Sequence, residues 1–317
     1  MSNPEQPSDS DKGFPICGCG PSNQPAPVDE TDSTPSASTH SKRSIALLPL
    51  FKADRPAPTG EGSAETRTRN EMIMTGRSWT GEPLPPEARI QLLQDAAMGF
   101  QDLGFRELTE NFARVCACVL YGRRLQKLGT PSGLYAVEGT MNDWGHVPRT
   151  GAETDAAIYA SLPEELRAGL PPMVVDSFSH CTREEIKRAL VLAQGHGSTE
   201  LHAVTHPYHE ERARIIADDV REDLGSPVIQ NVTNPGEIAS FVTGSGKIQP
   251  ADQFLLDAIR IGEPSRATAA KEWIKERGLL RPLHRISRWT QRGLRGIGVD
   301  FDLEGWLAER KRERVSR

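Results

Sequence analysis

The stretch ELHAVTHPYHEERARIIADDV, residues 200–220, decides how this chain folds. A short apolar run at 200–204 is followed by a proline and then by a helical pattern. Pro207 suits the first turn of a helix, where the N–H that proline lacks would have no partner, so Thr205 or His206 is the expected N-cap. The predicted buried face of this helix consists of apolar residues at helical spacing: Ala213, Ile216, Ala217, Val220 and Leu224.

Other apolar runs alternate with amphipathic helical patterns along the chain. Short strands separated by helices indicate a parallel sheet covered on both faces, and right-handed crossovers make such a sheet doubly wound. The predicted fold is therefore α/β, with a mainly parallel, Rossmann-like three-layer structure. Strands are predicted at 44–51, 133–139, 171–176, 200–204 and 227–232, and helices at 87–103, 107–128, 151–162 and 183–195 and from Pro207 onward.

Three segments depart from this alternation. Residues 1–43 are rich in Pro, Ser, Asp, Thr and Gly with almost nothing to bury, which predicts a disordered tail. Residues 52–86 form a long polar stretch, typical of a lid or a disordered insert. The Rossmann-like domain is expected to span 44–232, and 233–317 to form a helical C-terminal extension.

The composition narrows the class of protein. A formal net charge of -5 argues against a dedicated nucleic-acid binder, which would carry a basic excess. No apolar run approaches the roughly 18 residues that a membrane span requires, and the N-terminus lacks the pattern of a secretory signal. The expected location is the cytoplasm. Cys17 and Cys19 lie in the predicted tail without further metal ligands, and the five cysteines have no disulfide spacing.

The corner after residue 204 is the candidate site. In a parallel sheet, ligands bind beyond the carboxyl ends of the strands, where helix N-termini present free N–H groups. His206 and His209 are expected at this rim, three residues apart and therefore on one helix face. Asp176 and His180 follow the preceding strand and could converge with His209 on a metal ion, although no HExxH pattern occurs; His202 should lie below the rim. A ligand crevice, a metal-dependent hydrolase site and a purely structural corner all fit this pattern.

The segment AVTHPYHEERA, residues 203–213, resembles the signature of the YdcF/ElyC/SanA-like proteins. That signature reads approximately V-T-S-x-Y-H-x-x-R-A, and His206 stands where the family has serine. The matching residues are Thr205, Tyr208, His209, Arg212 and Ala213.

Weaker matches extend the resemblance over residues 44–232. DSFSHCTREE, residues 176–185, resembles the family's E-x-x-S-x-N-T-x-E-N segment, with Asp176 in place of its glutamate. Gly139 agrees with the family's S-G-G turn, and Arg114 with the arginine that opens its first helix. The glycine-rich turn after the first strand is missing. The other matching residues are Ser179, Thr182 and Glu185.

The resemblance implies a Rossmann-like ligand site at the strand ends. Some members are associated with S-adenosylmethionine, and others, which carry membrane segments, with envelope or polyprenyl-phosphate processes. We expect a phosphate, carboxylate or nucleotide-like group bound by Arg212 and Thr182, unless Arg212 instead pairs with an acid such as Glu185. His209 is either a general acid/base, in a transferase or a hydrolase, or a structural hydrogen-bond donor. The predicted ligand-binding residues are Arg114, Gly139, Thr140, Asp176, Ser179, Thr182, Thr205, His206, Tyr208 and Arg212.

The C-terminal part contains a run of arginines at steps of four and three. On a helix these would form one stripe that could meet anionic lipid, nucleic acid or an acidic partner. This predicts an alternative role as a regulatory or scaffolding protein, against an ordinary solvated helix face. The residues are Arg281, Arg285, Arg288, Arg292 and Arg295, with Leu279, Leu283, Ile286 and Trp289 nearby.

Overall fold

The computed structural model describes residues 43–50, 64–98, 103–244, 246, 248–264, 266–275, 277–278, 286 and 289–290. The predicted tail, with Cys17 and Cys19, lies outside these residues apart from Arg43. The five arginines of the predicted C-terminal stripe also lie outside them.

A five-stranded parallel sheet forms the centre of the fold, with strand order β5-β2-β1-β6-β7. Two further strands, β3 and β4, form a separate antiparallel pair. The strands are β1 Ile45–Pro49, β2 Ser132–Glu138, β3 Met141–Asn142, β4 Arg149–Thr150, β5 Val174–Ser179, β6 Glu200–Val204 and β7 Ile229–Thr233. The helices are α1 Ala64–Thr75, α2 Pro86–Met98, α3 Leu103–Lys127, α4 Gly151–Ala160, α5 Glu164–Arg167, α6 Thr182–Gly195, α7 Pro207–Leu224, α8 Pro235–Gly244, α9 Pro250–Ile261 and α10 Arg266–Lys275.

Helices cover both faces of the sheet, which confirms the three-layer α/β prediction. The alternation of side chains along β1 shows the two sides directly, because successive strand residues point to opposite faces. Ile45 and Leu47 pack into a core with α1–α4, α8 and α9. Ala46 and Leu48 pack into a second core with α6 and α7. The chain changes face between β5 and β6, where the strand order reverses and β6 pairs with β1.

The predicted corner at residue 206 forms as expected. His206 is the N-cap of α7, Pro207 occupies its first turn, and Gly225 ends it in the left-handed conformation. Ala213, Ile216, Ala217 and Val220 are buried. Leu224 is 38% exposed, so its assignment to the buried face was wrong; it is the last helical residue, beyond the part of α7 that the sheet covers.

β5 lies three residues later in the sequence than the strand predicted at 171–176. The apolar letters PPMVVD suggested 171–176, but β5 runs from Val174 to Ser179. β5 is an edge strand and only partly buried, so it accepts polar residues that a central strand would exclude. Asp176 therefore lies within the strand, and Ser179 ends it.

The predicted polar insert at 52–86 contains a helix that packs into the core. Residues 64–75 form α1, whose Ile73 and Met74 are fully buried, and residues 51–63 lie outside the described part. The Arg89 guanidinium fastens α1 to α2 by donating to the Ile73 carbonyl oxygen at 2.9 Å and 2.5 Å. Burial lowers the pKa of Arg89 to about 10, so it remains charged at neutral pH. Glu71 pairs with Arg149 at 2.6 Å, which holds α1 against β4.

α8 and α9 share the core of the helices that precede them. Phe254 of α9 packs edge-on against Phe112 of α3, with ring centroids 6.4 Å apart. The buried Asp252 carboxylate accepts a hydrogen bond from Arg123 of α3 at 2.9 Å. Among the described helices, none is both long and apolar enough to cross a membrane.

The close approach of α9 to α3 gives a test of this packing. A Cβ on Gly262 would lie 2.5 Å from the Thr109 carbonyl oxygen and would collide with the Ala113 side chain, whereas one on Gly244 meets nothing within 4 Å. We expect Gly262→Ala to lower the free energy of unfolding by about 1–3 kcal/mol. Gly244→Ala should change it by less than about 0.5 kcal/mol. Urea unfolding of the two variants measures both, and equal values would show that α9 is not packed tightly on α3.

Candidate functional site

The carboxyl ends of the five strands meet at one edge of the sheet. α6, α7 and α8 directly follow β5, β6 and β7 and therefore begin at this edge. α4 begins beside it, where the Gly151 N–H donates to the Thr140 carbonyl oxygen at 3.0 Å. The point between β1 and β6, where the strand order reverses, is where doubly wound folds bind their ligands. Thr205 follows β6 there and is buried, with its N–H donating to the Thr233 carbonyl oxygen at 2.9 Å.

A buried network fills the space between β1 and β6. The Tyr208 hydroxyl of α7 donates to Glu110 Oε2 of α3 at 2.7 Å, and Arg114 Nη2 lies 3.5 Å from the same oxygen. Arg114 also donates to the Leu50 carbonyl oxygen at 2.5 Å and to Asn111. Burial and the Glu110 charge raise the pKa of Tyr208 well above its ordinary value, so its hydroxyl keeps the proton that it donates. Arg114 and Tyr208 thus contact protein groups at the predicted edge.

His206 belongs to this buried network and not to an open rim. Its side chain is 1% exposed, and its ring stacks on Tyr208 with centroids 5.7 Å apart. Its Nε2 lies 3.8 Å from Glu110 Oε2. His206 was expected at the rim, on one helix face with His209; it is instead the N-cap of α7, with an extended backbone and a buried side chain.

Gly139 and Ser179 join the end of β2 to the end of β5. The Gly139 N–H donates to the Ser179 carbonyl oxygen at 2.5 Å. A Cβ on Gly139 would lie 2.8 Å from that oxygen and would collide with the Ser177 carbonyl. The buried Ser179 hydroxyl donates to the Val137 carbonyl oxygen. Thr140 follows, with its N–H donating to Glu138 Oε1 at 2.7 Å. Gly139 is therefore required by a close approach of two backbones.

The Asp176 carboxylate is paired with Arg188 and lies within β5. It accepts two hydrogen bonds from Arg188 of α6, at 2.9 Å and 2.5 Å. The Arg188 guanidinium also lies over the exposed Phe178 ring, 5.0 Å from its centroid. The placement of Asp176 just after a strand was wrong because β5 extends to Ser179. Its carboxylate fastens α6 to the outer strand.

Two helices begin at this edge without a side-chain cap. The first turn of α4 is satisfied by its own capping box, in which Thr150 and Glu153 bond each other's backbone. The N-cap residues of α6 and α7, Cys181 and His206, accept no helix N–H through their side chains. In α7, Pro207 has no N–H, and the N–H groups of His209 and Glu210 donate to the His206 carbonyl oxygen at 2.9 Å and 3.1 Å. The first turn of an α-helix can present N–H groups to a ligand oxygen, and α6 begins with Thr182 at this edge.

The accessible predicted residues lie in the first turns of these two helices. Thr182 is the first residue of α6, and it is partly exposed, as are His209 and Arg212 of α7. α6 packs alongside α7. Arg212 Nη2 lies 3.0 Å from His209 Nδ1. A guanidinium N–H can donate to an imidazole nitrogen only if that nitrogen has a lone pair, so the contact fits a neutral His209.

Two buried acids of this region, Glu110 and Asp155, were not predicted from the sequence. Glu110 precedes Arg114 by four residues, a spacing that looks like any surface ion pair. Asp155 lies in α4 and is 2% exposed, and its Oδ1 has no hydrogen-bond partner among the described residues. Burial raises the pKa of Asp155 well above its ordinary value; the Arg114 charge opposes this shift and the Glu138 charge adds to it.

The metal interpretation finds no support in the described part of the chain, which has no group of three or more His, Cys, Asp or Glu side chains placed to hold a metal ion. His202 lies below the rim as predicted, with Nε2 2.9 Å from Glu200 Oε2. Cys116 and Cys118 are fully buried, and burial raises the pKa of the Cys116 thiol to about 12.

Comparisons of the chain with protein-family models, with curated proteins and with solved structures found no match.

The buried carboxyl of Asp155 predicts an unusual dependence of stability on pH. An acid with a raised pKa binds more protons in the native state than in the unfolded state, so its contribution to stability falls as pH rises above the ordinary Asp value of about 4. We expect Asp155→Asn to be more stable than the natural chain at pH 7, with an advantage that shrinks on acidification. Asp176→Asn, which loses an ion pair, should be less stable at pH 7. Urea unfolding over a pH series compares them; a destabilised Asp155→Asn would mean that an ionised Asp155 pairs with Arg114.

The hydrogen bond from Tyr208 to Glu110 gives a second prediction. Tyr208→Phe should lower the free energy of unfolding by about 1.5–3 kcal/mol, because the lost bond is to a charged acceptor. Tyr159→Phe is the matched control, since the Tyr159 hydroxyl donates to a neutral carbonyl oxygen, that of Pro171, at 2.8 Å; about 0.5–1.5 kcal/mol is expected there. Equal losses would mean that Glu110 does not organise this edge.

Proposed function

We propose that this chain is a small-molecule-binding protein or enzyme of the YdcF-like type. Its ligand carries a phosphate, carboxylate or nucleotide-like group and binds at the carboxyl edge of the parallel sheet, between the first turns of α6 and α7. The cytoplasmic location expected from the sequence belongs to the same proposal.

One observation supports this site above the others. Two neighbouring helices begin at the same edge without side-chain caps, and one of them carries a partly exposed arginine and histidine in its first two turns. Each helix N-terminus favours an anion by about 0.3–1 kcal/mol, and more where it is partly buried. A guanidinium adds directed N–H donors that match phosphate and carboxylate oxygens. An anionic group satisfies all of these donors together.

The identity of the ligand follows from the resemblance. S-adenosylmethionine and nucleotides combine an anionic group with a base that can lie along the edge of a parallel sheet, and S-adenosylmethionine is associated with some YdcF-like proteins. His206 in place of the family serine is directed into the network with Tyr208 and Glu110. We therefore assign the direct contacts with the ligand to Thr182, His209 and Arg212.

His209 is the candidate general acid/base if the protein is an enzyme. A neutral imidazole with its Nδ1 lone pair directed toward Arg212 has Nε2 as its N–H donor. A ligand anion would draw the guanidinium away from the ring and leave Nδ1 able to accept a proton. This arrangement suits a transferase or a hydrolase, in which His209 would move a proton to or from the reacting group.

Calorimetric titration with inorganic phosphate, nucleotides and S-adenosylmethionine tests the site. We expect at least one of these to bind, and Arg212→Ala to weaken binding by about 10-fold to 150-fold, because it removes a charge-assisted hydrogen bond. His209→Ala should weaken binding less than Arg212→Ala. A saturating ligand should also raise the unfolding temperature of the natural chain by mass action.

Arg214→Ala is the matched control for Arg212→Ala. Arg214 lies on the same helix two residues further along, and its side chain is 55% exposed and paired with Glu210. Its removal should leave affinity unchanged. Equal affinity of the Arg212→Ala variant and the natural chain would place the ligand elsewhere.

A further inference from the structure

A pocket lies between the C-terminal end of α3 and the first turn of α9. α3 ends at Lys127, shortly before β2 begins at Ser132, so the pocket is near the amino ends of the strands and away from the candidate site at their carboxyl ends. It contains about 300 Å³ of space, including its open mouth. This basic pocket is lined by Arg123, Arg124 and Lys127 of α3 and Asp252 of α9, with Gly246 and two apolar side chains completing the wall.

The lining of the basic pocket carries more positive than negative charge. The Asp252 carboxylate accepts a hydrogen bond from Arg123 Nε at 2.9 Å, and its other oxygen lies 3.5 Å from Lys127 Nζ. Arg124 adds a third cation. Among the described residues that line the pocket, Asp252 is the one acid, so two positive charges are in excess. Like charges at close range repel one another, and an anion between them would relieve this repulsion.

Arg123 forms a fixed wall of the basic pocket. It is 8% exposed, its Nη1 donates to the Glu165 carbonyl oxygen at 2.6 Å, and its Nη2 donates to Gln249 Oε1 at 3.4 Å. The second of these bonds is long, so Nη2 can donate instead to a closer acceptor that enters the pocket. A guanidinium that is already oriented loses little side-chain entropy when it binds an anion.

The two helix ends that border the basic pocket favour charges of opposite sign. Arg124 and Lys127 lie in the last turn of α3, where the helix dipole stabilises cations. The first turn of α9 favours an anion, and its N-cap residue, Gln249, provides no side-chain cap. The dipole of α3 accounts for the cations alone. The open space between these cations and the first turn of α9 is the position that an anion would fill.

We propose that the basic pocket binds a phosphate group, either as the free ion or at the end of a small molecule. Its donors are the accessible Arg124 and Lys127 and the buried Arg123. A phosphate monoester carries a charge of about −1.5 to −2 at pH 7, which matches the two excess positive charges, whereas a carboxylate carries only one. Pockets for whole drug-sized ligands typically enclose ~300–1,000 Å³, so the basic pocket suits a compact group. It is separate from the candidate site at the carboxyl edge.

Calorimetric titration of the full-length Arg212→Ala variant tests the basic pocket alone, because this variant lacks the arginine of the carboxyl-edge site. We expect inorganic phosphate and glycerol phosphate to bind, and acetate to bind at least about tenfold more weakly because it carries a single charge. Binding should weaken at high salt, which screens the charges. Tighter binding of glycerol phosphate identifies a phosphorylated small molecule as the ligand, and tighter binding of inorganic phosphate identifies the free ion.

Substitutions of the accessible cations measure their contributions. Added to Arg212→Ala, Arg124→Ala should weaken phosphate binding by about tenfold or more, because it removes a charge-assisted hydrogen bond. Lys127→Ala should weaken it by about threefold or more, a smaller factor because the Lys127 side chain is 40% exposed and solvent screens its charge. Arg260→Ala is the matched control, since Arg260 lies on α9 with a side chain that is 74% exposed and paired with Asp257 at 2.8 Å. It should leave phosphate binding unchanged.

Removal of the competing carboxylate distinguishes a binding site from a structural ion pair. Asp252→Asn should lower the unfolding temperature in the absence of ligand, because Arg123 loses its buried partner. The variant should bind phosphate about fivefold more tightly or better, and phosphate should raise its unfolding temperature more than that of the natural chain. Cations with only a structural role would give the loss of stability without recovery in phosphate. Arg124→Ala and Lys127→Ala, at accessible positions, keep the test available if Asp252→Asn does not fold.

Two results would overturn the basic pocket as a phosphate site. The first is phosphate binding that is present in the natural chain and absent from Arg212→Ala, which would leave the carboxyl-edge site standing. The second is an affinity for phosphate that Arg124→Ala and Lys127→Ala together leave unchanged. Phosphate binding that falls with these two substitutions, but not with Arg212→Ala, would support the basic pocket and count against the carboxyl-edge site.

Discussion

The Glu110 carboxylate joins the two helical layers at the point where the strand order reverses. It accepts a hydrogen bond from Tyr208 on one side of the sheet and pairs with Arg114 on the other. Arg114 also donates to the carbonyl oxygen of Leu50, the residue that follows β1. A buried charge is tolerated only when it is paired and hydrogen-bonded. The network therefore fixes the first turn of α7 against α3, and with it the position of His209 and Arg212.

This network also determines where a ligand can bind. In most doubly wound folds the crevice between the two halves of the sheet is open to the ligand. Here Tyr208, His206 and Arg114 fill it, and all three are almost fully buried. The capping box of α4 occupies a further helix N-terminus. The first turn of α8 is capped by Asn234, whose Oδ1 accepts a hydrogen bond from the Glu237 N–H at 2.9 Å. The N-cap side chains of α6 and α7 make no such bond, which agrees with the proposal of a site displaced to one side of the sheet.

The fold could be predicted where burial alone determines structure. The central strand β1 is a continuous apolar run, and α7 has an apolar stripe, a proline at its start and a glycine after its end. β5 was misplaced because an edge strand tolerates Asp176 and Ser177 among its apolar residues. α1 was missed because buried Asn70 holds the Trp144 carbonyl oxygen and only two of its apolar side chains are buried. The role of Glu110 could not be predicted, since its spacing from Arg114 is common on helix surfaces and only tertiary packing buries the pair.

Burial raises the pKa of Asp155 well above its ordinary value, which favours the neutral form of this acid. Three buried acids, Glu110, Glu138 and Asp155, lie in the region of Arg114, and one guanidinium cannot balance three negative charges. Asp155 is the member whose Oδ1 accepts no hydrogen bond among the described residues, so it loses least by remaining neutral. A further buried negative charge in this region would repel an anion at the sheet edge, because little water separates the buried groups. The apolar surroundings of Asp155 thus influence the electrostatic field at the rim, although Asp155 itself is buried below it.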